Sequence, residues 1–476
     1  MTVSPFLYFT TFKARPSGCG FHDSLHRESE QSRVSPGLNA PPAGVEPATC
    51  GLEVRCSIQL SYGGNFRDDQ MLSGYPFCVP LNPRRRSKSS VDNDNRILDA
   101  ALVEVNDVGI DRIVLRSVAR RVNLTSGAMY GRYENAAEIA VGLWANRLAE
   151  PTLALLSSGI EAMMTGDSET MASVVKKLVK PTPIVAAGLE CLAVAHRHDV
   201  LNEEMGDWMP KWFAANGLDE STRPPERVRR LTSLSVLLGM GLFSFVNQRP
   251  DEWSLIVPIY SQALRTPVEL RGAAPTLDAV PFVAATTGDP LRDALINATA
   301  EVMGRAGFEQ TTVSRIARRA HLTSGAVYTQ YDVKEELLID AMKTLLTNAA
   351  ADTGALTTSG IEANELPDAT AQIYQLAVAP QRTNWRRFRL ETYVAARTRP
   401  SVKRALRAIQ QASDARYAEM FGSGGTFPAA VVPLVSAAGQ AIPIGFTVID
   451  SFTTKLDTLD FRVITRPLIT LISVKR

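Results

Sequence analysis

LTSGAMYGRY occupies residues 124–133 and LTSGAVYTQY residues 322–331. Seven of the ten positions are identical, and the two stretches stand 198 residues apart. A repeat of this kind decides the architecture, because it marks one structural unit used twice. The surroundings repeat as well. Ile97, Leu98, Ala101, Leu102 and Val105 share one helical face ahead of the first copy, and Leu291, Leu295, Ala298 and Val302 do so ahead of the second. Gly109 and Gly307 are placed to end those helices.

A second short helix is expected over 115–122 and 313–320, with a turn at Asn123-Leu124 and a third helix over 126–133 and 324–331. Thr125 and Thr323 stand where the third helix needs an N-cap, and Thr312 where the second does. A fourth helix opens near Asn135 and is expected to run until Pro151; in the second copy Asp332 and Glu335 suit a capping box. Leu189-Glu190 precedes an alanine-rich stretch into Arg197, much as Leu390-Glu391 precedes Arg397, so the repeat unit is near 190 residues.

Two short helices joined by a tight turn read as a helix-turn-helix, whose second helix enters the DNA major groove. Gly127 and Gly325 lie in its first turn, where the lack of a Cβ lets backbone approach DNA and free N–H groups favour phosphate. Tyr130 and Tyr328, one turn on, can donate to a phosphate oxygen, whereas Tyr133 and Tyr331 are expected to close the small core. Thr125 and Thr323 can cap and touch a phosphate at once.

These residues resemble the tetracycline-repressor (TetR) family of transcription regulators. The family pattern is an alanine-rich helix, Gly, then T-x-x-x-I-A-x-x-A-G-V-S-x-G-x-L-Y-x-H-F. Here TTVSRIARRAHLTSGAVYTQY (311–331) and RIVLRSVARRVNLTSGAMYGRY (112–133) are the matching stretches. The resemblance implies an all-α fold of two TetR-like units. Each has a three-helix DNA-binding head followed by a larger helical ligand-sensing and dimerising domain. Heads are expected at 92–148 and 289–345, bodies at 149–266 and 346–476, and a Pro/Ala-rich linker at 267–288.

The departures are specific. Ser126 and Ser324 stand where the family often has Lys, removing one phosphate contact. Val114 replaces the capping Thr312 in the first copy, at a cost of about 1 kcal/mol. Ala136 stands opposite Lys334, a position that resembles a family phosphate contact; Arg132 and the basic run RRRSK at 84–88 are the compensating charges. Base-reading positions differ between copies: Gly131-Arg132 against Thr329-Gln330, where Arg suits guanine and Gln suits adenine.

The bodies carry aromatic clusters, Trp208, Met209, Trp212 and Phe213 in the first and Trp385, Phe388 and Tyr393 in the second. The resemblance implies effector pockets there, with helix–helix core as the bland alternative. Closing helices at 231–246 with 254–264, and at 429–452 with 460–472, resemble the family's dimerising pair.

The chain of 476 residues is 45% hydrophobic and 21% charged, the balance of a soluble protein. A net charge of +2 means that a nucleic-acid surface must be a local patch. No apolar run reaches the ~18 residues of a membrane helix. The nearest, 231–246, is broken by Ser233, Ser235 and Ser244. Without a signal-like N-terminus, the cytoplasm is the expected location and no membrane a partner. Residues 1–91 lack helical periodicity and are expected to be disordered or a mis-assigned extension. GVEPATCGLEVRCSIQLSYGG (44–64) resembles a translated antisense strand of a transfer-RNA gene, which would put the natural start at Met71 or beyond.

Cys19, Cys50, Cys56, Cys78 and Cys191 show no metal pairing, and His196 and His198 at i, i+2 fall on different helical faces, so neither metal nor cofactor is expected. No nucleophile–base pair, carboxylate dyad or P-loop suggests an enzyme. The expected function is a sequence-specific regulator, a repressor released by a small apolar effector. It would act on double-stranded operator DNA as an intramolecular pseudo-dimer or as a homodimer. The alternative is a small-molecule sensor or scaffold with one degenerate head.

Overall fold

The computed structural model describes residues 88–274, 280, 282–422 and 426–473. The extension at 1–91 lies almost wholly outside them, as do Arg84, Arg85 and Arg86 of the basic run and four of the cysteines, Cys19, Cys50, Cys56 and Cys78. Among the described residues the chain is all α, with no strand.

The first half begins with α1 (Lys88–Val108), ended by Gly109 at φ 88°. Next come α2 (Leu115–Arg121), α3 (Ser126–Tyr130) and α4 (Ala136–Leu143). Asn123 holds φ 55° in the turn between α2 and α3, and His321 repeats that left-handed position at 58° in the second half. After α4 a π-helical turn, Trp144–Leu148, runs straight into α5 (Ala149–Thr165). Pro151 therefore does not end the helix as expected. It lies within the continuous helix, three residues past the π-helical turn. The remaining helices of this half are α6 (Ser168–Val179), α7 (Pro183–Val194), α8 (Asp199–Ala215), α9 (Pro224–Phe243) and α10 (Pro250–Arg265).

The second half follows the same plan: α11 (Pro290–Gln310), bent at Gly307, then α12 (Val313–Arg319), α13 (Ser324–Tyr328) and α14 (Lys334–Glu362). It continues through α15 (Leu366–Val378), α16 (Thr383–Thr398), α17 (Pro400–Gly422), α18 (Val432–Ile449) and α19 (Arg462–Ile472). The third helices α3 and α13 stop at Tyr130 and Tyr328, one turn earlier than expected. Tyr133 and Tyr331 follow them, half-buried, and the Tyr331 hydroxyl donates to Asp340 at 2.6 Å. At the start of α14 the box forms through Glu336, whose carboxylate accepts from Asp332 N at 3.2 Å and Val333 N at 3.5 Å. Glu335, assigned that role from the sequence, instead accepts from Ser401.

The halves meet where α9 packs along α18, with α10 and α19 beside them. A Cβ on Gly239 would stand 2.4 Å from the Ala441 carbonyl oxygen, and one on Gly445 would stand 2.1 Å from that of Ser235. Glycine is thus required at both crossings for the backbones to approach. The Ser235 hydroxyl donates to the Ile442 carbonyl at 2.6 Å, so the close approach is also hydrogen-bonded. By length and apolarity α18 would pass as a membrane span, a helix that the sequence reading overlooked in favour of 231–246. It is 78% buried inside the protein, as a core helix is.

Candidate nucleic-acid interface

Each head builds its third helix from a threonine cap. Thr125 Oγ1 accepts from Ala128 N and Thr323 Oγ1 from Ala326 N, both at 3.2 Å. Met129 and Val327 anchor the helices from beneath, fully buried. The opposite face is left to solvent: Thr125, Ser126, Gly127, Thr323, Ser324 and Gly325 are exposed. A Cβ at Gly127 would meet nothing within 4 Å, and one at Gly325 only Thr323 Oγ1 at 3.7 Å. Nothing inside the fold requires glycine at either position, which fits a surface kept clear for a close-lying partner. One turn on, Tyr130 and Tyr328 are 59% and 57% exposed.

The two heads differ around this shared face. Thr312 Oγ1 accepts from Arg315 N at 3.3 Å, capping α12, whereas Val114 caps α2 with no side-chain bond. Gly131 closes α3, and Thr329 Oγ1 turns back to Ala326 O at 2.7 Å. Arg132 is tied down: its Nε lies 2.8 Å from Asp94 Oδ1 and its Nη1 donates to Ala128 O at 3.1 Å. Among the described residues the Gln330 side chain has only a long 3.4 Å contact, to Asp289. Lys334 does not project outward. Its ammonium lies 5.1 Å from the Phe308 ring centroid and donates to Phe308 O at 3.3 Å, and burial lowers its pKa. A phosphate contact from Lys334 needs that arrangement to open.

Sequence reasoning missed two equivalent arginines on the bracing helices. Arg120 and Arg318 are exposed and have no ion-pair partner among the described residues. Their neighbours are pinned to the first helix of the same head, Arg121 to Glu104 at 2.7 Å and Arg319 to Glu301. The repeated Arg-Arg at 120–121 and 318–319 is the signal, since acids on the first helix claim only the second of each pair.

The aromatic clusters divide. Met209 and Phe213 are buried and Trp212 donates to Ser157 at 2.8 Å, but Trp208 is 37% exposed, bonded to Glu204, and leaves the cluster. The cavity beside Met209, Trp212 and Phe213 is only about 10 Å³. In the second half Trp385 and Tyr393 line a cavity of about 110 Å³, whereas Phe388 is fully buried away from its wall. His196 and His198 are not part of a metal cluster; no group of three metal-ligating side chains occurs among the described residues.

A left-handed turn between two short helices, the second presenting an open glycine and an exposed tyrosine, defines a helix-turn-helix DNA-binding head. Residues 295–341 match the model of bacterial regulatory proteins of the tetR family, a segment running from α11 through α13 into α14. The match supports a DNA-binding transcriptional regulator of the TetR family. No curated protein matches the chain.

Proposed function

We propose that the chain is a tandem TetR-like repressor in which two heads, 92–148 and 289–345, are held by two bodies, 149–266 and 346–476, as a covalent pseudo-dimer. One observation carries this reading. The contact of Gly239 with Ala441 and that of Gly445 with Ser235 are the same contact in reverse: Gly239 and Gly445 stand 206 residues apart, and so do Ser235 and Ala441. A two-fold interface has this form, with residue i meeting j while the copy of i meets the copy of j. The heads then bind successive major grooves, roughly 34–36 Å apart. Linkage on one chain substitutes an effective concentration for association of two chains. The unlike ends Gly131-Arg132 and Thr329-Gln330 imply an imperfect palindrome.

Sedimentation of the full chain with one operator duplex, taken from DNA upstream of its own gene, tests the proposal. One chain per duplex and a preference for unlike half-sites are expected; two chains per duplex, or tightest binding to a perfect palindrome, overturns it. A second reading, a sensor whose first head has lost DNA binding, is favoured by uncapped Val114 and by the tether of Arg132 to Asp94. A footprint protecting only one half-site would select it.

A further inference from the structure

The cavity in the second body is lined by Arg382, Arg386 and Arg389 from the start of α16 and its approach, and by Arg416 from α17, with no carboxylate on its wall. Arg382 and Arg386 are each only 4% exposed. Arg382 Nε, Arg386 Nε and Nη1, and Arg389 Nε are buried without an acceptor. The nearby acids do not supply one. Asp352 reaches only Arg382 Nη2, at 3.6 Å, Asp450 takes Arg386 Nη2 at 2.9 Å, and Asp414 is claimed by Arg249. Burial pulls the Arg382 pKa down to about 10, the direction expected of a guanidinium short of counter-charge. Buried charge left unsatisfied is costly, and an anion between these side chains relieves it.

A second cavity, of about 90 Å³, adjoins the first and shares Ile373, Tyr417 and Gly439 with it. Its other walls are mostly apolar, Leu434, Val435, Phe421 and Ile469 among them, with the hydroxyl-bearing side chains of Thr357, Thr370, Tyr260 and Tyr374. A cationic compartment opening beside an apolar one matches a molecule with a charged head and a hydrocarbon tail.

The first half has no counterpart. In the register that sets Glu190 on Glu391, Pro181, Val185 and Gly188 stand where Arg382, Arg386 and Arg389 do. A Cβ on Gly188 would lie 2.0 Å from Thr152 Oγ1, so α7 is seated on α5 with no space between.

We propose that the second body alone binds one amphipathic carboxylate per chain, a medium-chain acyl anion, with its carboxylate among Arg382, Arg386 and Arg389 and its tail past Tyr417 into the apolar compartment. The expected effector thus changes from a simple apolar molecule to an acidic one. That its binding moves the heads rests on the repressor reading above; its occupancy does not.

The test is calorimetric titration of the full chain, without DNA, using hexanoate, decanoate and decan-1-ol. One site per chain is expected, with decanoate at least tenfold tighter than either of the others. Arg386→Met should weaken decanoate at least tenfold, leave decanol unchanged and leave the melting temperature level or higher. Val435→Phe, which fills the apolar compartment, should weaken decanoate and spare hexanoate. Two sites per chain, equal affinity for acid and alcohol, or failure of both acids to bind overturns the site. Binding of decanoate without release of operator DNA leaves the site standing and removes only its effector role.

Discussion

Arg197 closes on Glu391, 194 residues away, through Nε to Oε1 at 2.6 Å and Nη2 to Oε2 at 3.0 Å. The same guanidinium takes Asp111 of the first head at 2.7 and 2.8 Å. In the reverse sense Arg397 pairs with Glu190, whose second oxygen accepts the Ile110 N–H at 2.9 Å. Glu190 and Glu391 each follow a leucine ahead of an alanine-containing stretch, and each half's glutamate is satisfied by an arginine from the other half. Burial opposes the charge on Arg197, but Glu391 and Asp111 outweigh it and hold the guanidinium above its ordinary range. Arg397 also donates to Val105 O and, at 3.2 Å, to Asn106 Oδ1 at the end of α1, so this crossing is a direct tie between a head and the opposite body.

Breaking the tie on one side should be expensive. Arg197→Met leaves the buried Glu391 without its cation, a loss of about 3–5 kcal/mol. Adding Glu391→Leu should return part of that stability, since an apolar pair no longer buries a lone charge. Urea unfolding of the single and double variants measures both; a single variant within 1 kcal/mol of the parent chain would show that the pair does not hold the halves together.

The glycine crossing gives a prediction with its own control. Gly445→Ala drives a methyl to 2.1 Å from the Ser235 oxygen, and overpacking of this kind costs about 1–3 kcal/mol. Gly206, on the exposed face of α8, has nothing within 4 Å of its would-be Cβ. Gly206→Ala should therefore stabilise by about 0.5–1 kcal/mol. Thermal melts of the two variants should move in opposite directions, and a shared direction would discredit the close approach of α9 and α18.

Acid should loosen the crossing through His196. Its ring contacts Ala193 O at 3.1 Å and Gly304 O at 3.3 Å, and burial, helped by Arg387 and Arg197, lowers its pKa from 6.5 to about 4. The folded chain thus binds fewer protons here than the unfolded one between these values. The stability present above pH 6.5 is lost as pH falls through 4, by about 3 kcal/mol at most. His196→Gln should flatten that part of the unfolding free energy plotted against pH, whereas an unchanged slope assigns the acid sensitivity to other groups.

The heads were legible because their chemistry is local. The caps at Thr125 and Thr323 and the turn at Asn123 fall within a few residues of one another, and spacing alone predicts them, although Met129 and Val327, which anchor the helices from beneath, were not singled out. What was not legible depends on partners distant in the chain. Lys334 reads as a free cation until Phe308 is seen beneath it, and Arg132 until Asp94 is. The π-helical turn at Trp144–Leu148 lets Pro151 follow without a break, which no local propensity announces. The arginines at 382, 386 and 389 share one helical face with Trp385 and Tyr393 nearby. Sequence reading gave weight to the aromatics and passed over the charges, because arginine on a helix is ordinarily solvated.

At the DNA face, side chains that are free in the protein should separate from those that are pinned. If the proposed docking holds, Tyr328→Phe removes a hydroxyl available to a phosphate and should weaken binding to every sequence alike. Gln330→Ala should instead relax preference at one base pair, by about 1–3 kcal/mol. Arg318 is exposed and has no ion-pair partner among the described residues, so Arg318→Ala should lower affinity uniformly and reduce the slope of log affinity on log salt by about 0.9, one phosphate's worth. Arg319 stands next to it but is bound to Glu301 within the head. Arg319→Ala should therefore leave the salt slope nearly intact and lower stability slightly, as loss of a part-exposed ion pair does. Titration of a fluorescent operator at several salt concentrations, for each variant, decides the assignment. If Arg319→Ala flattened the slope while Arg318→Ala left it alone, the face of α12 turned toward DNA would be the opposite one, and the docking of α13 in the groove would have to be rotated with it.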